Sequence, residues 1–504
     1  MILQQSKPPV NAVNGTQAVS LFTRAKAPHR IQQRSACAIC AARGATFLLL
    51  IKFEVDYAKK EFGKKEWLVL VLFGLVGQIA WSVENMYFNL FVFETVAPSL
   101  TTVTLMVQLS GIAATLTTLV AGTLSDKIGN RRSFISWGYT IWGITVALFG
   151  FLSPELTEKL LGCDLDQAVM ITLAAVVVGD CVMTLFGSTA NDACFNAWVT
   201  DNTESTFRGK VEGILSILPL AAMLIVAGGF GIIVEMIGYS MMFLCLGTII
   251  SLCGICGIFK LKDNPALQRS GDFGDIFYGF KPGVIKENSP LYLTLCLILI
   301  YGIACQIFMP YLIIYMKTFL GFSVVEYSIV FGATIILGAA VNLYLTRLSD
   351  RKNKNTMLYF ASAIFAAGLF EMYLAKGESK TVTLITFGIA GFVMIAGYIL
   401  ISALCGSLVR DYTPTGVVGK LQGVRMVFSV LIPMIAGPMI GNGINAHMNI
   451  PLPNMESADV MTMQYIPAPE IFLAGAIFSL LMFALIPILV KVSKKNDNTG
   501  VTQR

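Results

Sequence analysis

Long apolar runs, separated by short polar connections, dominate the sequence after about residue 60. Twelve of these runs hold 20 or more residues, so each is long enough to cross about 30 Å of hydrocarbon as a helix. Backbone groups in hydrocarbon must be satisfied within their own segment, and for a single run only a helix does this. The runs lie at about 66–93, 101–124, 133–153, 168–198, 211–235, 239–260, 290–316, 325–347, 356–375, 381–408, 421–445 and 469–491.

The distribution of Lys and Arg predicts how these runs are oriented. If residues 59–65 are cytoplasmic and the runs alternate in direction, the cytoplasmic loops receive 25 basic residues and the outer loops receive four. Bases concentrate on the cytoplasmic side of membrane proteins, so we predict twelve transmembrane helices with both termini in the cytoplasm. The sequence therefore predicts an all-α, multi-pass protein of the cell membrane.

The overall composition agrees with a membrane protein and disfavours several other classes. Hydrophobic residues make up 55% of the chain and charged residues 13%, against roughly 45–50% and 25% in soluble domains. No basic face exists outside the loops, so we expect no nucleic-acid partner. Both histidines, His29 and His447, lie outside the runs. This disfavours a metal site, a histidine proton relay and a membrane enzyme, and we expect no cofactor.

Residues 1–60 differ from the rest of the chain because they are basic and hold no acid before Glu54. A disordered tail, or a start codon assigned too early, explains this composition, and a transit peptide is the alternative. Cys37 and Cys40 have the C-x-x-C spacing of redox and metal sites. No second pair and no histidine accompany them at ligand spacing, so we expect neither site there.

A charged turn between the second and third runs is repeated later in the chain. Its triplet Leu124-Ser125-Asp126 recurs 224 residues further on as Leu348-Ser349-Asp350. A second pair of turns repeats after 210 residues and consists of Asp201-x-Thr203 with Gly209-Lys210-x-x-Gly213, and Asp411-x-Thr413 with Gly419-Lys420-x-x-Gly423. Two such repeats predict two copies of a six-helix unit. We therefore divide the chain into a tail (1–60), a first half (61–260), a cytoplasmic connector (261–289), a second half (290–491) and a C-terminal tail (492–504).

The first charged turn has the pattern Gly122-x-x-x-Asp126-Lys127-x-Gly129-x-Arg131-Arg132. This pattern resembles the signature loop of the major facilitator superfamily. The resemblance covers about 66–491 and implies secondary transport by alternating access, with twelve helices in two halves. Three stretches are similar to the glycoside–pentoside–hexuronide and sucrose-type sugar transporters of this superfamily, namely 129–135, 201–213 and 411–414. The well-known sugar–cation members carry paired acids on helix 2, whereas the second run here holds none.

The charged turns are suited to a cytoplasmic gate. Gly122 permits close approach of a neighbouring helix, Gly129 permits a tight turn, and the acids pair with bases or with helix ends. We predict that the turns latch the cytoplasmic ends together while the outside is open; topology determination and helix capping are the alternative. The predicted gate residues are Gly122, Asp126, Gly129, Arg131, Arg132, Asp201, Arg208, Asp350, Arg351, Asp411 and Arg425.

Polar residues inside the runs mark the predicted solute path, because they are costly in hydrocarbon. The family resemblance implies that helices 1, 2, 4, 5, 7, 8, 10 and 11 line the cavity. Polar residues of the first run lie within about 60° of one direction. This stripe serves either a sugar, with the Trp81 indole under its ring, or hydrogen bonds between helices. The predicted substrate-binding residues are Gln78, Trp81, Asn85, Gln108, Asn191, Tyr301, Gln306, Asn342 and Tyr398.

Acids inside the runs are the candidates for ion coupling. Glu84 and Asp180 lie near the middle of the first and fourth runs, and Asp192 lies nearer the cytoplasm. Carboxyl groups buried away from water can carry protons at neutral pH. We predict coupling through Glu84 and Asp180, with Asp192 as a third candidate; hydrogen bonds that only join helices are the alternative. No base lies at mid-depth, which favours a neutral solute over an anion.

These patterns together predict a monomer that takes up a neutral sugar or glycoside with a proton across the lipid bilayer. A transporter of lipid or drug-like solutes is the main alternative. The Gly-Pro-x-x-Gly motif that drug antiporters carry on helix 5 is absent there and occurs instead at Gly437–Gly441. A nutrient sensor of the same fold is disfavoured, because only thirteen residues follow Lys491.

Overall fold

The computed structural model describes residues 64–203, 208–264, 273–351, 354–414, 418–452 and 465–498. Nearly all of these residues are helical, and the β-bridge among them joins Pro451 to Tyr465. This confirms the predicted all-α class. The predicted tail at 1–60, with Cys37 and Cys40, and the chain end at 499–504 lie outside the described residues.

Ten described segments are long and apolar enough to cross a membrane. There are eleven if Arg131–Phe149 and Pro154–Leu161, which are bent by 88°, form one span. Gly213–Lys260 holds 48 residues and would extend about 72 Å as one helix, more than twice the hydrocarbon thickness. Gly238, with a φ of 75°, breaks it into α5 (213–237) and α6 (239–260). The number of twelve spans and the cytoplasmic termini remain predictions.

The remaining long helices follow in chain order. They are α1 (Glu66–Val96), α2 (Leu100–Ile128), α3 (Arg131–Phe149), α4 (Leu165–Asn202), α7 (Ser289–Thr318), α8 (Val324–Arg351), α9 (Lys354–Leu374), α10 (Lys380–Tyr412), α11 (Leu421–Met448) and α12 (Glu470–Asn498). Two short helices, Phe273–Phe280 and Pro282–Glu287, precede α7. We call the end of the bundle that carries the turn between α2 and α3 the basic end, and the opposite end the outer end.

The turn between α2 and α3 forms because adjacent residues end one helix and begin the next. Gly129 ends α2 with a φ of 71°, and its N–H donates to Ser125 O at 2.9 Å. Glycine adopts this left-handed conformation without strain. Asn130 then caps α3, because its Oδ1 accepts from the Ser133 N–H at 2.9 Å. The tight turn predicted at Gly129 is confirmed.

Helices pack in pairs within each of the two predicted halves. In the first half α3 packs along α6, α1 along α5 and α2 along α4; in the second, α10 packs on α8 and α9, and α12 on α7 and α9. The halves meet where α2 packs on α11 and α5 on α8. Large aromatic side chains such as Trp142 and Tyr311 are fully buried, whereas Leu68 and Phe259 are exposed on the outside of the bundle. This packing brings α1, α2 and α4 together around the polar residues of the first half.

Candidate functional site

Glu84 lies inside α1 and is only 7% exposed. Its Oε1 accepts hydrogen bonds from the hydroxyl groups of Ser110 on α2, at 3.2 Å, and Thr184 on α4, at 3.0 Å. The other carboxyl oxygen, Oε2, is buried and has no hydrogen-bond partner within the described chain. Three helices therefore converge on one carboxyl group.

Asp180 lies one turn before Thr184 on α4 and is 1% exposed. The Ser110 hydroxyl lies near its carboxyl group as well, but Asp180 Oδ1 has no hydrogen-bond partner within the described chain. No Lys, Arg or His occurs in 66–96, 100–126 or 165–202. An ionised carboxylate without a counter-charge is costly in such surroundings, whereas a protonated carboxyl group needs only hydrogen-bond partners. The geometry is that of two acids suited to holding protons.

A second polar cluster on α4 lies nearer the basic end. Asp192 Oδ2 accepts from the Ser188 hydroxyl at 3.2 Å, and its Oδ1 accepts from Asn191 Nδ2 at 3.1 Å. The Tyr139 hydroxyl on α3 lies 2.9 Å from Asn191 Oδ1. Gly77 on α1 permits this approach, because a Cβ there would lie 2.5 Å from both of those oxygen atoms. Asp192 is half-buried, so this cluster is more accessible than the pair around Glu84.

Trp81 lies between the two clusters, three residues before Glu84 on α1. Its ring centroid is 5.1 Å from that of Trp142 on α3. The Trp81 indole N–H lies near the Asp192 carboxyl group but does not meet the geometry of a hydrogen bond. The indole predicted to contact a sugar is half-buried and already packs against a second indole, so only part of it is accessible.

Both clusters coincide with departures from regular α-helical geometry. π-Helical turns occupy Glu84–Phe88 in α1 and Ser188–Phe195 in α4, and such turns are frequent at functional sites. A π turn also rotates the side chains that follow it, so the predicted polar stripe on α1 is not continuous. Asn85 is exposed and donates to Trp81 O at 2.8 Å, whereas Asn89 is buried and donates to Pro310 O at 3.3 Å.

Several amides of the predicted solute path form hydrogen bonds between helices in this conformation. Gln108 on α2 donates to Ile435 O on α11 at 2.9 Å, and Asn342 on α8 donates to Ala396 O on α10 at 3.3 Å. Hydrogen bonds of this kind stabilise helix packing in membranes. In this conformation the interhelical interpretation therefore describes Asn89, Gln108 and Asn342.

The second half contributes aromatic and apolar surface. The Tyr301 hydroxyl on α7 donates to Tyr398 O on α10 at 3.1 Å, and the two rings are 5.4 Å apart. Tyr398 is half-buried, as are Gln306 on α7 and Gln78 on α1. Tyr398 also lines a narrow crevice between the halves, together with Leu220, Met223, Met309, Leu312, Phe331, Ile335, Met394, Ile395 and Ile399.

Direct contacts between the halves occur at the outer end. The hydroxyl groups of Thr104 on α2 and Tyr311 on α7 are 2.7 Å apart. Glu94 on α1 forms an ion pair with Lys317 on α7. Together with the bonds from Asn89 and Gln108, these contacts hold α1 and α2 against α7 and α11 on the outer side of Glu84.

At the basic end, Arg131 joins the turn between α2 and α3 to α4. It is 5% exposed. Its guanidinium group forms ion pairs with Asp126 and with Asp201, whose Oδ2 lies 3.1 Å from Arg131 Nε. The same group donates to Ser125 Oγ at 2.5 Å. The predicted acid–base pairing is therefore present inside the first half.

Arg132 fastens the same turn to the end of α6. Its backbone N–H donates to Asp263 Oδ1 at 2.9 Å, and its guanidinium group donates to Ile258 O. Gly122 does not have the packing role expected of it in this conformation, because a Cβ there would meet only Ala193 Cβ, at an ordinary 4.0 Å.

The second half has a corresponding contact between Lys354, at the start of α9, and α10. Lys354 Nζ donates to Asp411 Oδ2 at 2.5 Å and to Ser407 Oγ at 2.9 Å. Each ion pair that the structure describes at the basic end joins residues of one half, so the latch between halves remains a prediction. Arg425 is exposed on α11, and the side chains of Arg208, Asp350 and Arg351 lie outside the described residues.

The sequence reasoning missed the partners of the buried acids. Ser110 is a single hydroxyl residue in an apolar stretch of α2, with no pattern that assigns it to Glu84. Tyr139 and Trp142 lie on α3, which the family resemblance does not place at the cavity. Only Thr184 had a usable signal, since it lies four residues after Asp180 and so on the same helix face.

The comparisons with known proteins address this architecture. A model of the Major Facilitator Superfamily matches residues 67–438, well over half of the chain. A mutant form of the nucleoside transporter NupG is similar over 84% of this chain and 98% of its own, with 13% identity and a TM-score of 0.61. A bacterial homolog of the human lysosomal transporter Spinster, in an inward-facing and unoccupied conformation, is similar over 85% and 97%, with 15% identity and a TM-score of 0.57. At these identities the structural likeness shows the fold alone.

No curated protein matches the sequence. The helical architecture and the family match nevertheless agree with each other over most of the described chain. This chain belongs to the major facilitator superfamily of multi-pass membrane transporters.

Proposed function

We propose that this chain couples the movement of protons to the uptake of a neutral sugar or glycoside, as a monomer in the cell membrane. One observation carries the proposal. Glu84 and Asp180 are buried close together, Glu84 accepts from the hydroxyl groups of Ser110 and Thr184, and no base lies in 66–96, 100–126 or 165–202 around them. Intramembrane acids of this kind mark ion pathways.

A proton fits this pair better than a metal cation does. A proton needs one carboxyl oxygen, whereas a cation needs several oxygen ligands together. At this depth α2 supplies hydroxyl groups but no acid, since its one acid, Asp126, lies at the basic end. We infer that alternating access, with 61–260 and 290–491 as the moving halves, exposes the pair to each side in turn.

Asp192 is suited to pass protons between the pair and the basic end. It lies 12 residues after Asp180, which is about 18 Å along α4 by helix rise. Its half-buried carboxyl group is bound by Ser188 and Asn191, so it meets water more readily than Glu84 does. Trp81 lies between these acids, and its movement on solute binding would link solute to proton.

A neutral, hydroxyl-rich solute agrees with the surroundings of the pair. No Lys, Arg or His lies at mid-depth in the spans, so a strongly anionic solute would lack a counter-charge. The accessible part of Trp81 and the ring of Tyr398 offer faces for a sugar ring or an aglycone. The transported class named for NupG, the nucleosides, falls within the neutral glycosides and belongs in any test panel.

A lipid or drug-like solute is the alternative, and the crevice between the halves favours it. Apart from Tyr398, the residues that line this crevice are apolar, and they include Met223 on α5, Met309 on α7 and Met394 on α10. Flexible methionine side chains suit variable apolar ligands. Such a solute would bind with little help from the polar residues of α1.

Uptake into proteoliposomes under an imposed pH gradient tests the proposal. The panel consists of neutral monosaccharides, disaccharides, aryl glycosides and nucleosides, against lysolipids and cationic dyes, with a sodium gradient as a separate arm. We expect a member of the neutral set to accumulate uphill and to carry protons that an internal pH dye reports. Glu84→Gln and Asp180→Asn should reduce accumulation to equilibration, because an amide cannot take up and release a proton.

Glu158→Gln is the matched control, since Glu158 is exposed at the outer end and should leave accumulation unchanged. Solute counterflow, which needs binding but no net proton movement, should persist in both acid variants. Uphill accumulation by Glu84→Gln and by Asp180→Asn would refute coupling through this pair. Uptake restricted to lysolipids or dyes would favour the alternative.

A further inference from the structure

The chain between α6 and α7 exposes aromatic side chains at the basic end. In the short helix Phe273–Phe280, Phe277 is 68% exposed and Phe280 is 42% exposed. Exposed rings beside basic residues are typical of segments that lie in the membrane interface, with the rings among lipid headgroups. Lys281 follows directly and is also exposed. This segment therefore marks the level of the lipid headgroups at the basic end.

A groove opens next to this segment, between the start of α7 and the end of α12. Its volume is about 480 Å³, within the roughly 300–1,000 Å³ of typical small-molecule sites. The residues that line it are Pro282, Ile285, Lys286, Ser289, Tyr292, Leu293, Cys296, Ile488 and Val492. Leu293, Cys296 and Ile488 lie deeper along their helices, and Lys286 and Ser289 lie at the rim.

The composition of the groove matches one kind of ligand. Lys286 is the only charged residue among those that line it in the described chain, and it is exposed. Glu287, next to it on the short helix, is exposed but does not line the groove. A cation at headgroup level above an apolar trough complements an anionic headgroup above an acyl chain. Basic pockets between membrane helices on the cytoplasmic side, which the basic end is predicted to face, bind anionic lipid headgroups.

We propose that this groove is a binding site for one anionic phospholipid. The headgroup phosphate binds Lys286 Nζ, and one acyl chain lies along Leu293, Cys296 and Ile488. The Ser289 hydroxyl at the rim donates to Lys286 O at 2.6 Å. The exposed rings of Phe277 and Phe280 keep the connector at the depth at which Lys286 meets the headgroup. This site is separate from Glu84 and Asp180, so its test does not depend on the proposed transport function.

Native mass spectrometry of the detergent-purified full chain tests the site. The probe is an equimolar mixture of palmitoyl-oleoyl phosphatidylglycerol and the corresponding phosphatidylcholine. We expect the wild type to retain one phosphatidylglycerol in preference to phosphatidylcholine. Lys286→Ala should reduce this preference about fivefold, which corresponds to the ~1 kcal/mol of one base near an anionic lipid.

Two further variants complete the test. Lys376→Ala removes an exposed lysine at the outer end and should keep the preference. Ile488→Trp fills the trough and should lower the retention of both lipids, while a thermal unfolding scan shows that the variant is folded. Equal retention of the two lipids by the wild type, an unchanged preference in Lys286→Ala, or no retained lipid at all would each overturn the proposal. The last result would also fit a groove covered by another part of this chain.

Discussion

The two halves carry the same kind of ion pair at the basic end, but they bury it to different degrees. In the first half, the side chain of Arg131 is 6% exposed, and those of its partners Asp126 and Asp201 are 40% and 22% exposed. In the second half, the side chains of Lys354 and Asp411 are 38% and 49% exposed. Both contacts join the start of the third helix of a half to the end of its fourth helix. Repetition in sequence has therefore preserved the place of the contact and not its burial.

The same contrast holds deeper in the bundle. The first half buries Glu84 and Asp180 among hydroxyl groups, whereas the second half presents Tyr301 and Tyr398 and supplies most of the apolar residues that line the crevice between the halves. A buried charged network is rigid and specific, because removing one member leaves the others without partners. The comparison suggests a first half that holds its helices firmly around the ion site and a second half whose surface can adapt to a solute.

Removal of the base from each ion pair should give the largest difference in stability between variants of the two halves. Arg131→Ala leaves two carboxylates and the buried Ser125 hydroxyl without their shared partner. We expect it to destabilise the protein by about 2–4 kcal/mol, below the 3–5 kcal/mol for a fully buried pair because Asp126 is partly exposed. Lys354→Ala removes an exposed pair and should cost less than about 1 kcal/mol. Thermal unfolding in detergent compares the two variants directly.

Arg131→Lys is the control for charge, since lysine keeps the charge but cannot span two carboxylates in the same way. The stability of Arg131→Lys should lie between that of the wild type and that of Arg131→Ala. Equal destabilisation by Arg131→Ala and Lys354→Ala would show that the difference in burial has no energetic consequence.

A smaller effect is expected at Tyr398, and it tests the division of roles between the halves. Tyr398→Ala removes a ring that packs against Tyr301 and faces the crevice. We expect the KM for the transported solute to rise about tenfold, from the loss of roughly 1.4 kcal/mol of aromatic contact. The number of protons moved per solute should not change, because Glu84 and Asp180 are intact. Proteoliposome uptake with a pH dye gives both quantities.

The matched control is Tyr344→Ala, which removes a tyrosine that is 69% exposed on α8. Its KM should equal that of the wild type. A changed proton-to-solute ratio in Tyr398→Ala would assign part of the coupling to the second half.

How much the sequence could predict depends on whether a feature is local. The turn at Gly129 and Asn130 follows from neighbouring residues, and the placement of Glu84 and Asp180 inside two helices follows from the apolar runs. The hydrogen-bond partner of each polar side chain is not local, because it depends on how two helices are rotated about their axes. Gln108 and Asn89 donate to the backbone oxygens of Ile435 and Pro310, in parts of α11 and α7 that contain prolines. Prolines and π turns change how a helix is bent and rotated, and no periodicity in the sequence indicates by how much.

The smallest effect on stability is expected at Asp263, just after α6. Its carboxyl group accepts from the Arg132 N–H and so joins the turn between α2 and α3 to α6. Burial raises the pKa of the Asp263 carboxyl group, and the backbone N–H groups and positive charges of Arg131 and Arg132 offset only part of that effect. The folded protein thus holds this proton more tightly than the unfolded chain. The contribution of this carboxyl group to folding stability is fully present below the unfolded pKa of about 3.9. It is lost as pH rises through the higher folded pKa.

Asp263→Asn should therefore gain stability relative to the wild type as pH rises from about 4 to neutral, by less than about 0.5 kcal/mol because the site is partly exposed. The Asn oxygen can still accept from the Arg132 N–H, so the turn should remain fastened to α6. Thermal unfolding across this pH range measures the change, with Glu287→Gln as an exposed control at the same end. If Asp263→Asn is instead less stable than the wild type by more than about 1 kcal/mol at neutral pH, the negative charge itself holds the turn. The acidic contact to α6 would then belong with the buried network around Arg131, and the contrast between the halves would be larger than the burial of Arg131 alone indicates.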